Sequence, residues 1–289
     1  MTPDSKVPRA SAGPLSRRSL KLRPLATHMA RSTRKVLRTF GENLELGTLL
    51  AFVAGVVNTV GFLQFGTFVS HISGHATRTA VEYTEGNSDA AWVFFLEMIS
   101  FVFGAFFTSF LLKGHTAAYA KIKYTAPVLI EAGILLFFLF LNSMQGLLWF
   151  HIGTISLTTT MLAFAMGMQN AMLRQAAGTL IRTTHMTGVA TDIGIEMGAA
   201  TSFMVQAIRR HRGWERWRAG WKAFWERLGI GRFTFHILLL LCFFLGSAFG
   251  TMGYVYINSF ILLVPALILS LVGLKEYLRR LPEDHHRSS

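Results

Sequence analysis

The segment Ala51-Phe52-Val-Ala-Gly55-Val-Val-Asn58 leads, through a short apolar run, into Ser70-His71-Ile72-Ser73-Gly74-His75-Ala76-Thr77-Arg78 and then Glu82. The chain carries this pattern a second time. The second copy reads Ala163-Phe164-Ala-Met-Gly167-Met-Gln169-Asn170, then Thr184-His185-Met186-Thr187-Gly188-Val189-Ala190-Thr191-Asp192 and Glu196. Gly55 to Gly167 and Asn58 to Asn170 are each 112 residues apart. His71 to His185, Gly74 to Gly188, Arg78 to Asp192 and Glu82 to Glu196 are each 114. One two-residue insertion aligns six polar or glycine positions, which internal duplication explains.

Composition sets the environment. The chain has 289 residues, 52% of them hydrophobic, and only 15% charged. Its mean hydropathy is +0.42. Soluble domains carry roughly 25% charged residues, so this is a membrane composition. The net charge is +13. In a soluble protein that balance would indicate nucleic acid. Here the basic residues flank apolar spans, which reads as cytoplasmic loops near anionic lipid rather than a nucleic-acid surface. Cys242 is the only cysteine, so an intramolecular disulfide and a cysteine-based zinc site are excluded.

The expected fold is an all-α polytopic bundle. Residues 1–46 read as a basic disordered cytoplasmic tail, 47–142 as a first membrane repeat, 146–273 as a second, and 274–289 as a cytoplasmic tail. Six full spans, with the polar segments 70–83 and 183–207 as broken or half-helices, put every basic loop on one side. Eight spans would put the Lys113–Lys123 loop on the other. Three full spans per half give the two copies opposite orientation, an inverted repeat of the kind found in secondary transporters. Within residues 209–232, Trp214, Trp217, Trp221, Phe224, Trp225 and Leu228 recur at three- and four-residue steps among Arg and Lys. That predicts an amphipathic helix lying in the cytoplasmic interface against anionic lipid.

At the two copies the sequence resembles the YoaK family of bacterial integral membrane proteins, which bear a domain of unknown function. The resemblance covers about Gly47 to Gly273. It rests on Gly167-Met-Gln169-Asn170-Ala171 with Arg182-Thr183-Thr184-His185-Met186-Thr187-Gly188, and on Gly55-Val-Val-Asn58 with Phe68-Val69-Ser70-His71-Ile72-Ser73-Gly74-His75. Ser73 and His75 stand where the family pattern has Thr and Asn. The resemblance implies a multi-pass protein of a bacterial inner membrane with about six spans.

Polar groups at membrane depth survive only against protein or in a wet cavity. Two half-helix starts meeting from opposite leaflets would expose backbone N–H groups to an anionic or dipolar solute. The candidate substrate-binding residues are Asn58, Ser70, His71, Ser73, Gly74, Gln169, Asn170, Thr184, His185, Thr187 and Gly188. Gly55, Gly74, Gly167 and Gly188 also suit plain helix packing. Arg78 and Asp192, as repeat equivalents, are expected to pair across a pseudo-twofold axis, with Glu82 and Glu196 carrying protons. The leading functional expectation is a secondary transporter or permease for a small polar or anionic solute. One alternative is an intramembrane metal-dependent enzyme using His71, His75 and His185. Another is a scaffold or sensor with no transport. No cofactor is called for, no catalytic residue is assigned, and oligomers are compatible with all three. The absence of a Walker A motif argues against ATP hydrolysis in this chain.

Overall fold

The structure, a computed structural model, describes residues 44–113, 124–144, 151–177 and 183–280. The expected basic tail lies outside these residues except for 44–46, as do Lys121, Lys123, Arg182 and the last nine residues. The described chain folds as helices. They are α1 (Leu44–Phe65), α2 (Ile72–Thr84), α3 (Ser88–Lys113), α4 (Thr125–Met144), α5 (His151–Ala177), α6 (Met186–Arg210), α7 (Glu215–Leu228), α8 (Ile230–Ile257) and α9 (Leu263–Arg280). A 3-10 turn, Asn258–Leu262, breaks the run between α8 and α9.

Four stretches are long and apolar enough to cross a bilayer: Leu44–Phe65, Ser88–Leu112, Thr125–Met144 and the 48-residue Gly231–Leu278. The last of these contains both α8 and α9. A helix satisfies every backbone hydrogen bond within itself, which is why apolar chain in lipid adopts it. Large apolar side chains point outward, among them Phe106 and Phe110 of α3, Phe140 of α4, and Phe244 and Val255 of α8. Such a surface would be untenable in water and is ordinary against acyl chains. The chain is therefore an all-helical membrane protein.

Inside, α1 contributes a continuous buried face. Leu50, Val53, Ala54, Val56, Val57 and Val60 are all at most 1% exposed. They share one core cluster with Leu135 and Phe138 of α4, Leu162 and Met166 of α5, and Leu269 of α9.

Two close helix crossings fix this arrangement, and both use the same short pattern. Phe52-x-x-Gly55 lies on α1, Phe101-x-x-Gly104 on α3, Phe164-x-x-Gly167 on α5 and Phe243-x-x-Gly246 on α8. A Cβ added at Gly55 would fall on the Phe243 carbonyl oxygen, and one at Gly246 on that of Phe52. A Cβ at Gly104 would fall on the Phe164 carbonyl oxygen, and one at Gly167 on that of Phe101. Only glycine allows backbones to touch in this way. Phe101 to Phe243 and Gly104 to Gly246 are both 142 residues apart, so the pattern of α3 recurs in α8. Helix α1 thus packs on α8, and α3 on α5.

The bundle ends are tied by polar contacts. At one end the Gln64 amide donates to the Asn142 amide oxygen, and the Asn142 amide donates to the Ser259 hydroxyl at 2.7 Å. At the other, Lys275 Nζ lies 2.6 Å from Glu45. Hence α1 and α4 end together, and α9 runs antiparallel to both. Gly47 faces Phe235, and Gly250 faces Val56 and Thr59, so α8 runs parallel to α1.

Helix α7 folds back on α6. Gly220 faces Ile208 and Met204, and the Arg227 guanidinium lies 4.9 Å from the Phe203 ring centre. Gly229, at φ 61°, closes α7 in the left-handed region that glycine tolerates. Trp214, Trp217, Trp221 and Trp225 stand exposed along its outer side.

Candidate functional site

Each copy of the repeated pattern builds a helix start tied to the helix before it. After α1 the chain turns at Gly66 (φ 71°) and folds back, so that Val69 lies against Gly61. The Asn58 amide oxygen accepts hydrogen bonds from the Ser70 backbone N–H at 3.2 Å and the Ser70 hydroxyl at 3.0 Å. In the second copy the Asn170 amide oxygen accepts from the Thr184 N–H at 3.1 Å and the Thr183 hydroxyl at 3.2 Å. Its amide nitrogen donates to the Thr184 hydroxyl at 2.6 Å and the Met166 carbonyl at 2.9 Å. Non-helical backbone in a membrane protein needs such partners, and the asparagine supplies them from a neighbouring helix.

His71 and His185 occupy the N-cap positions of α2 and α6, and neither helix has a side-chain capping bond. First-turn N–H groups without an intrahelical partner are the usual means by which a helix start attracts anions. Each histidine ring folds over the glycine three residues on. A Cβ at Gly74 would lie 2.6 Å from His71 Nδ1, and one at Gly188 would collide with the His185 ring. Local ring packing therefore accounts for both glycines. His71, Ser73, His185 and Thr187 are exposed at these starts, while Ser70 and Thr184 are half-buried.

The remaining expected site residues divide. Gln169 is buried and donates to the Leu50 carbonyl. Asn58 and Asn170 direct their amide oxygens to the chain itself, so their observed role is to hold the helix starts. Arg78 and Asp192 do not pair with each other. Arg78 lies 4.5 Å over the Phe94 ring and donates to the Gly66 carbonyl at 3.3 Å. Asp192 lies 4.0 Å from His236 Nε2. Phe94 and His236 are themselves 142 residues apart, the offset that relates α3 to α8. Each member of the expected pair therefore meets the equivalent position in its own half, because the adjacent helix is closer than the partner copy. Glu82 accepts from the Asn87 amide at 3.1 Å and is half-buried. Glu196 lies 3.7 Å from His236 Nδ1. His71, His75 and His185 do not gather: among the described residues no group of three potential ligands could hold a metal.

One pair escaped the sequence reading. His75 Nδ1 lies 2.9 Å from Glu97 Oε2, with side chains 2% and 0% exposed. The Thr67 hydroxyl donates to the same carboxylate oxygen at 3.4 Å. The available signal was a carboxylate alone in an apolar helix, but spacing does not say which helix faces it.

A family model described as "Protein of unknown function (DUF1275)" matches residues 46–274. The chain belongs to this family. The match spans α1 through most of α9, so the DUF1275 region contains both helix starts, all four crossing glycines and the His75–Glu97 pair. No curated protein and no solved structure matches the chain.

Proposed function

We propose that this DUF1275 protein is a secondary transporter or permease for a small polar or anionic solute, built as an inverted repeat with about six spans. The single observation that carries this reading is the duplicated, asparagine-tied helix start set in a bundle whose halves exchange their crossing partners. Helix directions support the inversion. A gap of only six residues, 145–150, separates α4 from α5, so α5 begins at the Asn142 end. By Gln169 it has reached Leu50, near the start of α1. The equivalent helices α1 and α5 then run in opposite senses. Helix α2 has 13 residues, about 20 Å at 1.5 Å per residue, short of a hydrocarbon core of about 30 Å. It returns to the side it came from. Because α5 runs opposite to α1 and α8 runs parallel to it, the 25-residue α6 with α7 also ends on the side where it began, which leaves six crossings.

In this reading the exposed His71, Ser73, His185 and Thr187, with the first-turn N–H groups of α2 and α6, face the solute. A closer, YoaK-like relationship fits the motifs, and basic residues on one side fit a bacterial inner membrane with both termini cytoplasmic. The test is a thermal-shift screen of small anions and zwitterions on purified protein, followed by counterflow of any hit in proteoliposomes. A stabilising solute whose uptake falls at least several-fold in Ser73→Ala/Thr187→Ala is the expected result. Solute binding untouched by that double variant would sink the assignment.

Helix α7 is proposed to rest on anionic lipid through its exposed tryptophans, with Arg216, Arg218 and Lys222 reaching the headgroups. Each basic residue near such a surface contributes about 1 kcal/mol. Added phosphatidylglycerol is expected to raise the melting temperature of detergent-solubilised protein more than phosphatidylcholine does. Arg216→Gln/Arg218→Gln/Lys222→Gln should remove that difference, and a triple variant that keeps it would refute the contact.

A further inference from the structure

We propose that His75 and Glu97 form a proton-binding site whose occupancy controls the position of the re-entrant loop 66–71. This deepens the transporter reading, on which its purpose rests, though its chemistry does not.

Three features of the geometry carry it. First, an imidazole and a carboxylate in contact are buried on facing sides of α2 and α3, where α3 is an apolar span. Ionisable residues inside spans are costly and commonly serve proton or ion movement. Second, the pair has capacity left over. His75 Nε2 and Glu97 Oε1 are both buried and have no hydrogen-bond partner. With one proton shared on the Nδ1–Oε2 contact the pair is neutral overall. A second proton gives imidazolium beside carboxylic acid, and its release restores the neutral pair. Third, Glu97 is connected to the loop. Its Oε2 accepts from Thr67, and three residues further on the same loop reaches the Ser70 contact with Asn58. On the other flank, the His75 N–H bonds the His71 carbonyl at 3.0 Å, linking the pair to the N-cap of α2.

Arg78 lies one turn along α2 from His75. Its guanidinium sits over Phe94, whose ring stacks on His75 at 6.1 Å. His71, one turn earlier on α2, is exposed at the helix start. The second half lacks this device, because Val189 and Leu239 occupy the equivalent positions. Its carboxylates Asp192 and Glu196 instead face His236.

Full-length protein in detergent, with no solute added, allows the test. Proton uptake is measured from pH 8 to pH 5, the interval over which an imidazole titrates. The wild type is expected to take up one more proton than the double variant Glu97→Gln/His75→Gln, which removes both groups. Equal uptake in the two would overturn the site. Loop position is read by maleimide labelling of Phe68→Cys in a Cys242→Ala background. Because the thiolate is the reactive form, the rate is divided at each pH by that of free cysteine. This ratio should change several-fold across the interval in the wild-type background and become pH-independent with Glu97→Gln. A ratio without pH dependence, or one unaltered by Glu97→Gln, would overturn the coupling. Should Glu97→Gln fail to fold, Glu97→Asp keeps a titrating carboxyl and must retain the extra proton with a shifted midpoint. Proton uptake without solute transport in any assay would retain this site and remove the transporter reading alone.

Discussion

Gly167→Ala and Gly55→Ala are each expected to lower the stability of the detergent-solubilised protein by about 2–3 kcal/mol, the upper part of the range for overpacking a tight interior. The added methyl at position 167 meets the Phe101 carbonyl group and comes within 3.0 Å of the Phe101 Cα. At position 55 it meets the Phe243 carbonyl and comes within 2.8 Å of the Ser247 nitrogen. Both obstacles are backbone, so relief requires whole helices to move apart, and that forfeits contacts along the crossing. Gly194→Ala and Gly198→Ala provide the contrast, since nothing lies within 4 Å of either added carbon. There alanine gains helix propensity, up to about 1 kcal/mol, and stability should hold or rise. Gly55 and Gly246 share one crossing, so their double variant should cost less than the sum of the singles. Gly55 and Gly167 serve different crossings and should add. Unfolding midpoints in a denaturant series read all of these. Equal midpoints for Gly55→Ala and Gly198→Ala would show that the crossings do not hold the bundle together.

The sequence disclosed the membrane class and the apolar helices, because length and hydropathy alone determine those. It also disclosed the duplication, since polar residues stand out when they interrupt apolar chain. What it concealed was partnership. Arg78 and Asp192 share a position in the repeated pattern, but a shared position does not bring two residues together. Each instead meets its own hairpin neighbour, Phe94 or His236. The reciprocal Phe-x-x-Gly contacts were hidden for the same reason: the pattern also occurs at Phe150-His-Ile-Gly153, and no spacing rule assigns α1 to α8 and α3 to α5. Asn58 and Asn170 stand beside the repeated helix starts and bond to them. Their chemistry was read as pointing toward a solute, when a chain leaving helical geometry in lipid has the prior claim on any nearby amide.

That prior claim makes Asn170→Leu the second large effect. Leucine keeps the branched, four-heavy-atom shape of asparagine but is bulkier, so overpacking adds to the loss of hydrogen bonding. The substitution strips four bonds and leaves the Thr184 N–H and the Thr183 and Thr184 hydroxyls without their acceptor or donor. Thr183 is fully buried, and an unpaired buried polar group costs about 1–3 kcal/mol. A total loss of about 3 kcal/mol is expected. Asn58→Leu removes only the two bonds to Ser70, which is half-buried, and should cost roughly half as much. The order of the two variants is the discriminating result. If the asparagines hold the helix starts, Asn170→Leu unfolds earlier than Asn58→Leu, and both unfold earlier than wild type in the absence of any solute. If instead both variants unfold as the wild type does and lose only solute binding, the amides belong to the substrate, and the observed bonds to Ser70 and Thr184 are dispensable.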